Sequence, residues 1–307
     1  MKCVLVTGAR GFIGRHSIES LLQRGYEVHA VVSSAADAHF PVPVSSHACN
    51  LLDARETSAL FARVRPTHLL HLAWYTAHGK FWTSPLNLDW VAASVSMLRA
   101  FHNQGGKRAV FAGTCAEYEW SDATLDESSS ALRPATLYGS CRNALREIAL
   151  AFARQEDFSV AWGRLFFLYG PFEHPDRLVP SAIRSLLRGV PAELTHGMQI
   201  RDFMHTRDAA HGLVALLDSA EKGPVNVASG RPVALRDVAN LIGDLLGRPD
   251  LIHLGARTPP ALDPPRVVAN ASLLREKIGF SEAFTLRSGL ENVIEWWKRN
   301  RDENIPT

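Results

Sequence analysis

The chain of 307 residues is poor in several things, and each shortage narrows its function. It has four cysteines, Cys3, Cys49, Cys115 and Cys141, far apart and without a CxxC pair, so the spacing suggests neither a disulfide framework nor a zinc site. Its thirteen histidines show no metal-ligand spacing such as HExxH. A formal charge of +2, with Lys and Arg evenly mixed with Asp and Glu, argues against a nucleic-acid partner or a surface built for anionic membranes. No apolar run approaches the ~18 residues of a membrane span. The apolar run before Thr7 is too short for a signal peptide. These absences lead us to expect a soluble, cytoplasmic protein. There is no internal repeat and no low-complexity tract.

What is present is a globular composition, 46% hydrophobic and 21% charged, in which short β-branched runs alternate with amphipathic stretches. Strands are expected at residues 2–6, 27–32, 67–74, 108–114 and 159–167, with helices over 12–24, 56–65, 88–103 and 138–154. A loop rich in Ser, Ala and Pro fills 33–46. Such alternation implies an α/β fold with a doubly wound parallel sheet of the Rossmann type. Beyond Tyr169 the rhythm breaks. Prolines cluster at 171–180 and 259–265, and the helices at 178–188, 235–246 and 288–299 are interrupted only by a strand near 223–229. We therefore expect a dinucleotide-binding domain of residues 1–170 plus 206–232, and a smaller helix-rich substrate domain of 171–205 plus 233–307.

Three glycines in seven residues, "GARGFIG" from Gly8 to Gly14, follow the first strand and open the first helix. In that context glycines permit a tight turn, a close backbone approach and close helix–strand packing. A pyrophosphate then rests on the helix N-terminus, where free N–H groups and the dipole favour an anion. The spacing is G-x-x-G-x-x-G rather than G-x-G-x-x-G.

That spacing resembles the extended branch of the short-chain dehydrogenase/reductase family, which includes nucleotide-sugar epimerases, dehydratases and reductases. Further pieces recur in family order: "HLAW" (His71–Trp74), "VFAGTCAEY" (Val110–Tyr118), "YGSCR" (Tyr138–Arg142), "RLFFLYGP" (Arg164–Pro171), "RDFMHTRDAA" (Arg201–Ala210) and "VNVASG" (Val225–Gly230). The resemblance implies an NAD(P) site formed by Gly8, Arg10, Gly11, Phe12, Ile13 and Gly14, by Ser33 and Ser34, by Asn50 and Leu51, by Leu72, Ala73 and Trp74, and by Tyr138 and Arg142. It also implies a nucleotide-diphosphate-sugar substrate, and a homodimer through the helices near 88–103 and 138–154.

The second strand ends "AVVSSAAD", without an acid to hold the ribose hydroxyls of NAD. Arg10, inside the glycine turn, could pair with a ribose phosphate instead. The cofactor reading therefore leans to NADP, with NAD as the other possibility and Arg10 as a plain solvated residue as the bland one. Asn50 falls where the family places an acid on the adenine. Asp53 reads as a helix cap.

Hydride can leave or reach a sugar carbon only if the attached oxygen loses or gains a proton. The resemblance assigns that proton to Tyr138, and a phenol needs a nearby cation to do this work near neutrality. In the family a lysine four residues on supplies it, one helical turn away on the same face. Here Arg142 takes that position. An arginine keeps the charge, but its fork is bulkier and cannot relay a proton. Three readings follow: altered activity, a non-catalytic dinucleotide-binding protein, or a different catalytic pair.

Thr114 is the expected hydroxyl partner of Tyr138 on the substrate oxygen. Cys115 and Ala116 stand where 4,6-dehydratases carry an Asp–Glu pair. Ala116 and Phe172 stand where enzymes similar to GDP-fucose synthase carry Cys and His. Elimination and the dual epimerase–reductase reaction are thereby disfavoured. What remains is hydride transfer alone, as 4-keto-6-deoxy-sugar reduction or, alternatively, 4-epimerisation. For the substrate we expect Arg201 and Arg266 near the diphosphate, and Phe167 where the family has an Asn. His78 lies in the aromatic loop "WYTAHGKFW" (residues 74–82), which could touch sugar or base. Trp296 and Trp297 read as anchors of the last helix.

Overall fold

The computed structural model describes residues 2–34, 36, 39–121, 123–260 and 263–300. In chain order the elements are β1 (Lys2–Thr7), α1 (Gly14–Gln23), β2 (Tyr26–Val32), β3 (Ser45–Ala48), α2 (Ala54–Val64), β4 (His68–His71), α3 (Leu86–Asn103), β5 (Arg108–Thr114), α4 (Leu137–Gln155), β6 (Ser159–Leu165) and β7 (Phe167–Tyr169). They continue as α5 (Leu178–Leu187), β8 (Ala192–Glu193), β9 (Ile200–His205), α6 (Thr206–Asp218), β10 (Gly223–Val227), β11 (Pro232–Ala234), α7 (Leu235–Leu246), β12 (Ile252–His253), β13 (Arg266–Val267) and α8 (Leu286–Arg299).

Seven strands form one parallel sheet in the order β10-β6-β5-β4-β1-β2-β3. The two directions of winding diverge between β1 and β4, and α/β sheets place ligands in the crevice that opens there, beyond the strands' carboxyl ends. Both faces of the central strands are covered, which is why β1, β4 and β5 carry apolar runs in their middles. One face packs Val4, Val6, Val28 and Ala30 against α1 and α6 through Ile18, Leu21, Leu213 and Val214. The other packs Leu5, Val31, Leu69 and Phe111 against α2, α3 and α4 through Leu60, Met97 and Leu145.

A second, smaller sheet has the order β11-β9-β13, with β7 also paired to β9. It lies beside a separate core of α5, α7 and α8, where Ile183, Ile242, Val293 and Trp297 are buried. Trp297 is fully buried there, as expected of an anchor for the last helix.

The expected strand at 159–167 is two strands. β6 stops at Leu165, and Phe167–Tyr169 pairs with β9 in the smaller sheet. An unbroken apolar run hides this switch of sheets. The expected loop at 33–46 ends in an edge strand, β3, whose polar "SSHA" carries little hydrophobic signal. β9 and α6 were not expected either. Among the described residues, no helix is long and apolar enough to cross a membrane.

Candidate active site

The glycine turn is built around one close crossing. Gly8 has φ +67°, and a Cβ there would sit 2.9 Å from the Ala73 nitrogen. At Gly14 a Cβ would fall 2.1 Å from the Gly8 carbonyl oxygen. Side chains are excluded because β1, β4 and the start of α1 already fill the space. Thr7 fastens the crossing: its Oγ1 accepts from the N–H groups of Leu72 and Ala73 at 3.1 and 3.2 Å. His71 is fully buried behind it, with Nδ1 2.7 Å from Thr7 Oγ1 and Nε2 2.9 Å from Ser94 Oγ. Burial, with the nearby Arg142 charge, pushes the His71 pKa down to about 3, so this imidazole is neutral.

Arg10 reaches across to the segment after β2. Its Nη1 donates to the His39 carbonyl at 3.0 Å, and the guanidinium lies 5.3 Å from the Phe40 ring centre. Arg10 thus ties that segment to the glycine turn. Ser33 and Ser34 stand exposed just past β2. Asn50 makes a local turn, its Oδ1 accepting from Leu52 N–H at 3.1 Å beside the buried Leu51. Asp53 caps α2 as expected, accepting from the N–H groups of Arg55 and Glu56. Phe12 and Ile13 pack partly buried against the core on the α1 side.

Tyr138 and Arg142 sit one turn apart at the start of α4, and both are buried. Thr136 caps this helix through Gly139 N–H. A Cβ on Gly139 would meet the Ala116 carbonyl oxygen at 2.2 Å, so the helix start presses against the segment that follows Thr114. The Arg142 guanidinium lies 4.2 Å from the Trp74 ring centre and 5.7 Å from that of Tyr138. Its Nε and one Nη are buried without a hydrogen-bond partner among the described residues. Buried guanidinium donors without acceptors are costly. Hydroxyl oxygens of a bound ribose would satisfy them. The glycine cradle and these orphaned donors together fit a dinucleotide.

The aromatic loop braces Tyr138. Phe81 and Trp82 meet its ring edge-on at 4.9 and 5.7 Å, and Tyr138 N–H donates to the Trp82 carbonyl at 3.1 Å. Asn87 holds the loop closed by donating to the carbonyls of Phe81 and Ser84 and accepting from Trp74 Nε1. His78, in the same loop, stacks on His174 with ring centres 4.8 Å apart. The segment after β7 therefore meets the aromatic loop. In that segment Phe172 adopts φ +70° and lies 3.7 Å beneath the Arg15 guanidinium. Its neighbour Glu173 is 3% exposed, with Oε2 unpartnered among the described residues. Burial raises the Glu173 carboxyl to about 8 despite the Arg177 charge.

Thr114 closes β5 in extended conformation, its Oγ1 accepting from Ala116 N–H at 3.2 Å. Glu117, which sequence reasoning missed, fixes this corner. Its Oε1 accepts from Thr114 N–H and Trp162 Nε1, both at 2.8 Å, and its Oε2 accepts from Arg164 Nε at 2.8 Å. Arg164 also donates to the Tyr118 hydroxyl, which donates to Asn226 Oδ1. All five side chains are buried. The available signal was a Glu and a Tyr three and four residues past the end of a strand with an apolar middle.

Arg201, Phe167 and Arg266 gather on the smaller sheet. Arg201 is buried, its guanidinium 5.1 Å from the Phe167 ring centre and ion-paired with Asp263. It is therefore no plain surface residue, and Asp263 holds one edge of it. Arg266, half-buried, donates to Thr124 Oγ1 at 3.3 Å.

A glycine-cradled turn at the switch point of a parallel sheet, facing a Tyr–Arg helix pair, defines a Rossmann-type dinucleotide enzyme site. The family model for the NAD dependent epimerase/dehydratase family matches residues 4–228, and the chain belongs to that family. It is similar to UDP-glucuronate 4-epimerase 4 of Arabidopsis thaliana, 26% identical over 96% of this chain and 75% of the relative. It is also similar to an uncharacterised UDP-glucose epimerase, YtcB, of Bacillus subtilis, 26% identical over 95% of this chain and 97% of the relative. Among solved structures it resembles MoeE5 in complex with UDP-glucose and NAD, with a TM-score of 0.82, 28% identity, and coverage of 97% of this chain and 99% of that one.

Proposed function

We propose that the chain is a nucleotide-sugar 4-epimerase that retains NAD, with a UDP-sugar as substrate. The observation that carries this reading is the buried Tyr138–Arg142 pair on a helix start that presses against the segment following Thr114, where Cys115 and Ala116 offer no acid and base for elimination. The named activities of the similar proteins and the ligands of MoeE5 support it. They favour epimerisation over net 4-keto reduction.

NAD, held by the glycine turn and by Arg142, would supply reversible hydride transfer at sugar C4. Tyr138 takes the proton from O4 as the ketone forms and gives it back afterwards. Thr114 holds the same oxygen through its hydroxyl. Arg142 stabilises the phenolate electrostatically and gives its unpaired donors to the ribose. Trp74, Phe81 and Trp82 exclude water around the pair. Gly8, Gly11 and Gly14 admit the pyrophosphate, and Arg201 with Arg266 would face the sugar diphosphate. Dimerisation through α3 and α4 belongs to the same reading: Leu88 and Ile148, on those helices, are 56% and 42% exposed.

One observation keeps a second reading open. β2 ends without an acid, and Arg10 of the glycine turn reaches the segment just past it through the His39 carbonyl, as an NADPH-dependent reductase would use. Incubation with UDP-glucose or UDP-glucuronic acid, followed by NMR of the sugar ring, tests the choice. The proposal expects inversion at C4 without added cofactor, lost in Tyr138→Phe. Conversion only of 4-keto sugars, and only with added NADPH, would establish the reductase.

A further inference from the structure

The N-terminal halves of β1 and β2 carry a side-chain cluster that the sugar chemistry does not use. In parallel register Cys3 pairs with Glu27 and Leu5 with His29, while His29 pairs with Ser45 and Val31 with His47. Side chains two residues apart on a strand share a face, so Cys3, Glu27, His29 and His47 all stand on the α2 side of the sheet. The ligating atoms of Cys3, Glu27 and His29 lie within 4.8 Å of one another. We propose that Cys3 Sγ, Glu27 carboxylate and His29 Nε2 form a three-ligand site for a divalent transition metal of the zinc class.

The donor chemistry suits that class. A thiolate, an imidazole and a carboxylate are the three protein ligand types zinc uses, and three of them leave one tetrahedral position for water. Their two negative charges match a divalent cation, whereas calcium and magnesium prefer all-oxygen sets. Two of the ligands already converge, with His29 Nε2 3.1 Å from Glu27 Oε1, and a supporting contact is in place, with His29 Nδ1 2.8 Å from His47 Nε2. With Nε2 on the metal, Nδ1–H donates to His47, the support that ligating histidines ordinarily have. His47 in turn meets Arg63 of α2 at 3.5 Å.

Thr67 clamps the Cys3 backbone: its Oγ1 accepts from Cys3 N–H and donates to the Cys3 carbonyl, both at 3.0 Å. Glu27 is exposed and Cys3 half-buried, which leaves a route for the ion from solvent. Binding releases the thiol proton of Cys3 to water. Cys49, Cys115 and Cys141 are buried elsewhere and do not join the cluster.

Cobalt titration of the tag-free full chain tests this. The expected result is a thiolate-to-cobalt charge-transfer band in the near ultraviolet, saturating at one ion per chain and removed by added zinc. Cys3→Ser should abolish the band while circular dichroism stays native. His47→Ala, which removes the support of His29, should keep the band with affinity lowered about 10- to 100-fold, and Glu27→Gln, which removes a ligand, should keep the band with affinity lowered further. Absence of the band in the parent chain, or a band unchanged in Cys3→Ser, overturns the proposal.

Discussion

The guanidinium of Arg142 lies 4.2 Å from the centre of the Trp74 ring, on the same side of α4 as Tyr138 and with two donor nitrogens unpaired among the described residues. The indole face holds the cation by cation–π attraction, and the buried surroundings leave its remaining donors for a ligand. Arg142 thus has the position, the charge and the free donors to do the work of the family lysine.

Replacing it tests this directly. Arg142→Lys should retain or raise turnover, since the smaller cation still reaches Tyr138. Arg142→Met, which keeps the stem and removes the charge, should lose about 10²- to 10³-fold in kcat. Loss of turnover in a folded Arg142→Lys would show that Arg142 does something a lysine cannot.

Glu117, fully buried, collects three hydrogen bonds, including one from Arg164. Removing one partner leaves the other's charge uncompensated. Glu117→Ala should therefore cost about 3–5 kcal/mol in denaturant unfolding. It should also loosen Thr114, whose N–H loses its acceptor.

Glu173 makes a prediction in pH. Its folded carboxyl is raised to about 8 from an ordinary 4.5, chiefly by burial. The folded state then holds a proton that the unfolded state has lost. Its contribution is fully present below about 4.5 and is lost as pH rises through about 8, with a slope of at most about 1.4 kcal/mol per pH unit. Melting temperatures across this window should fall in the parent chain and fall less in Glu173→Gln. On the acid side the sign reverses: burial depresses His16 to about 4 and His71 and His205 to about 3, against 6.5 unfolded. Stability that these groups contribute above 6.5 is lost as pH drops toward 3.

Arg10 separates the two cofactor readings. Its contacts with His39 and Phe40 show a structural use for the side chain that needs no phosphate. Arg10→Ala should therefore change NAD retention by less than about threefold, whereas a ribose-phosphate clamp would lose tenfold or more for NADP alone. Calorimetry with each dinucleotide distinguishes them.

The Rossmann core was legible because it rests on local signals. The glycine turn, the β-branched runs and the Asp53 cap each announce themselves within a few residues, and strand β5 and helix α7 have the expected bounds. The smaller sheet was not, because β9, β11 and β13 are two to six residues long and exist through pairing between distant segments. The same contrast holds in the site. Tyr138 and Arg142 lie one helical turn apart, within a single local motif that the family resemblance picks out. Glu117 and Arg164 meet across two strands, and Asp263 reaches Arg201 from sixty-two residues away. The aromatic loop stood out in the sequence without a defined contact, and only the fold shows Phe81 and Trp82 edge-on to the Tyr138 ring.

The most direct test of 4-epimerisation follows the hydrogen at C4. A UDP-sugar deuterated at that carbon, turned over by the chain as purified in ordinary water, should yield the C4 epimer with the label still on C4. Hydride then leaves and returns within one active site without net consumption of cofactor. Absence of any C4 inversion, or an epimer whose C4 label has been replaced by hydrogen, would contradict the account.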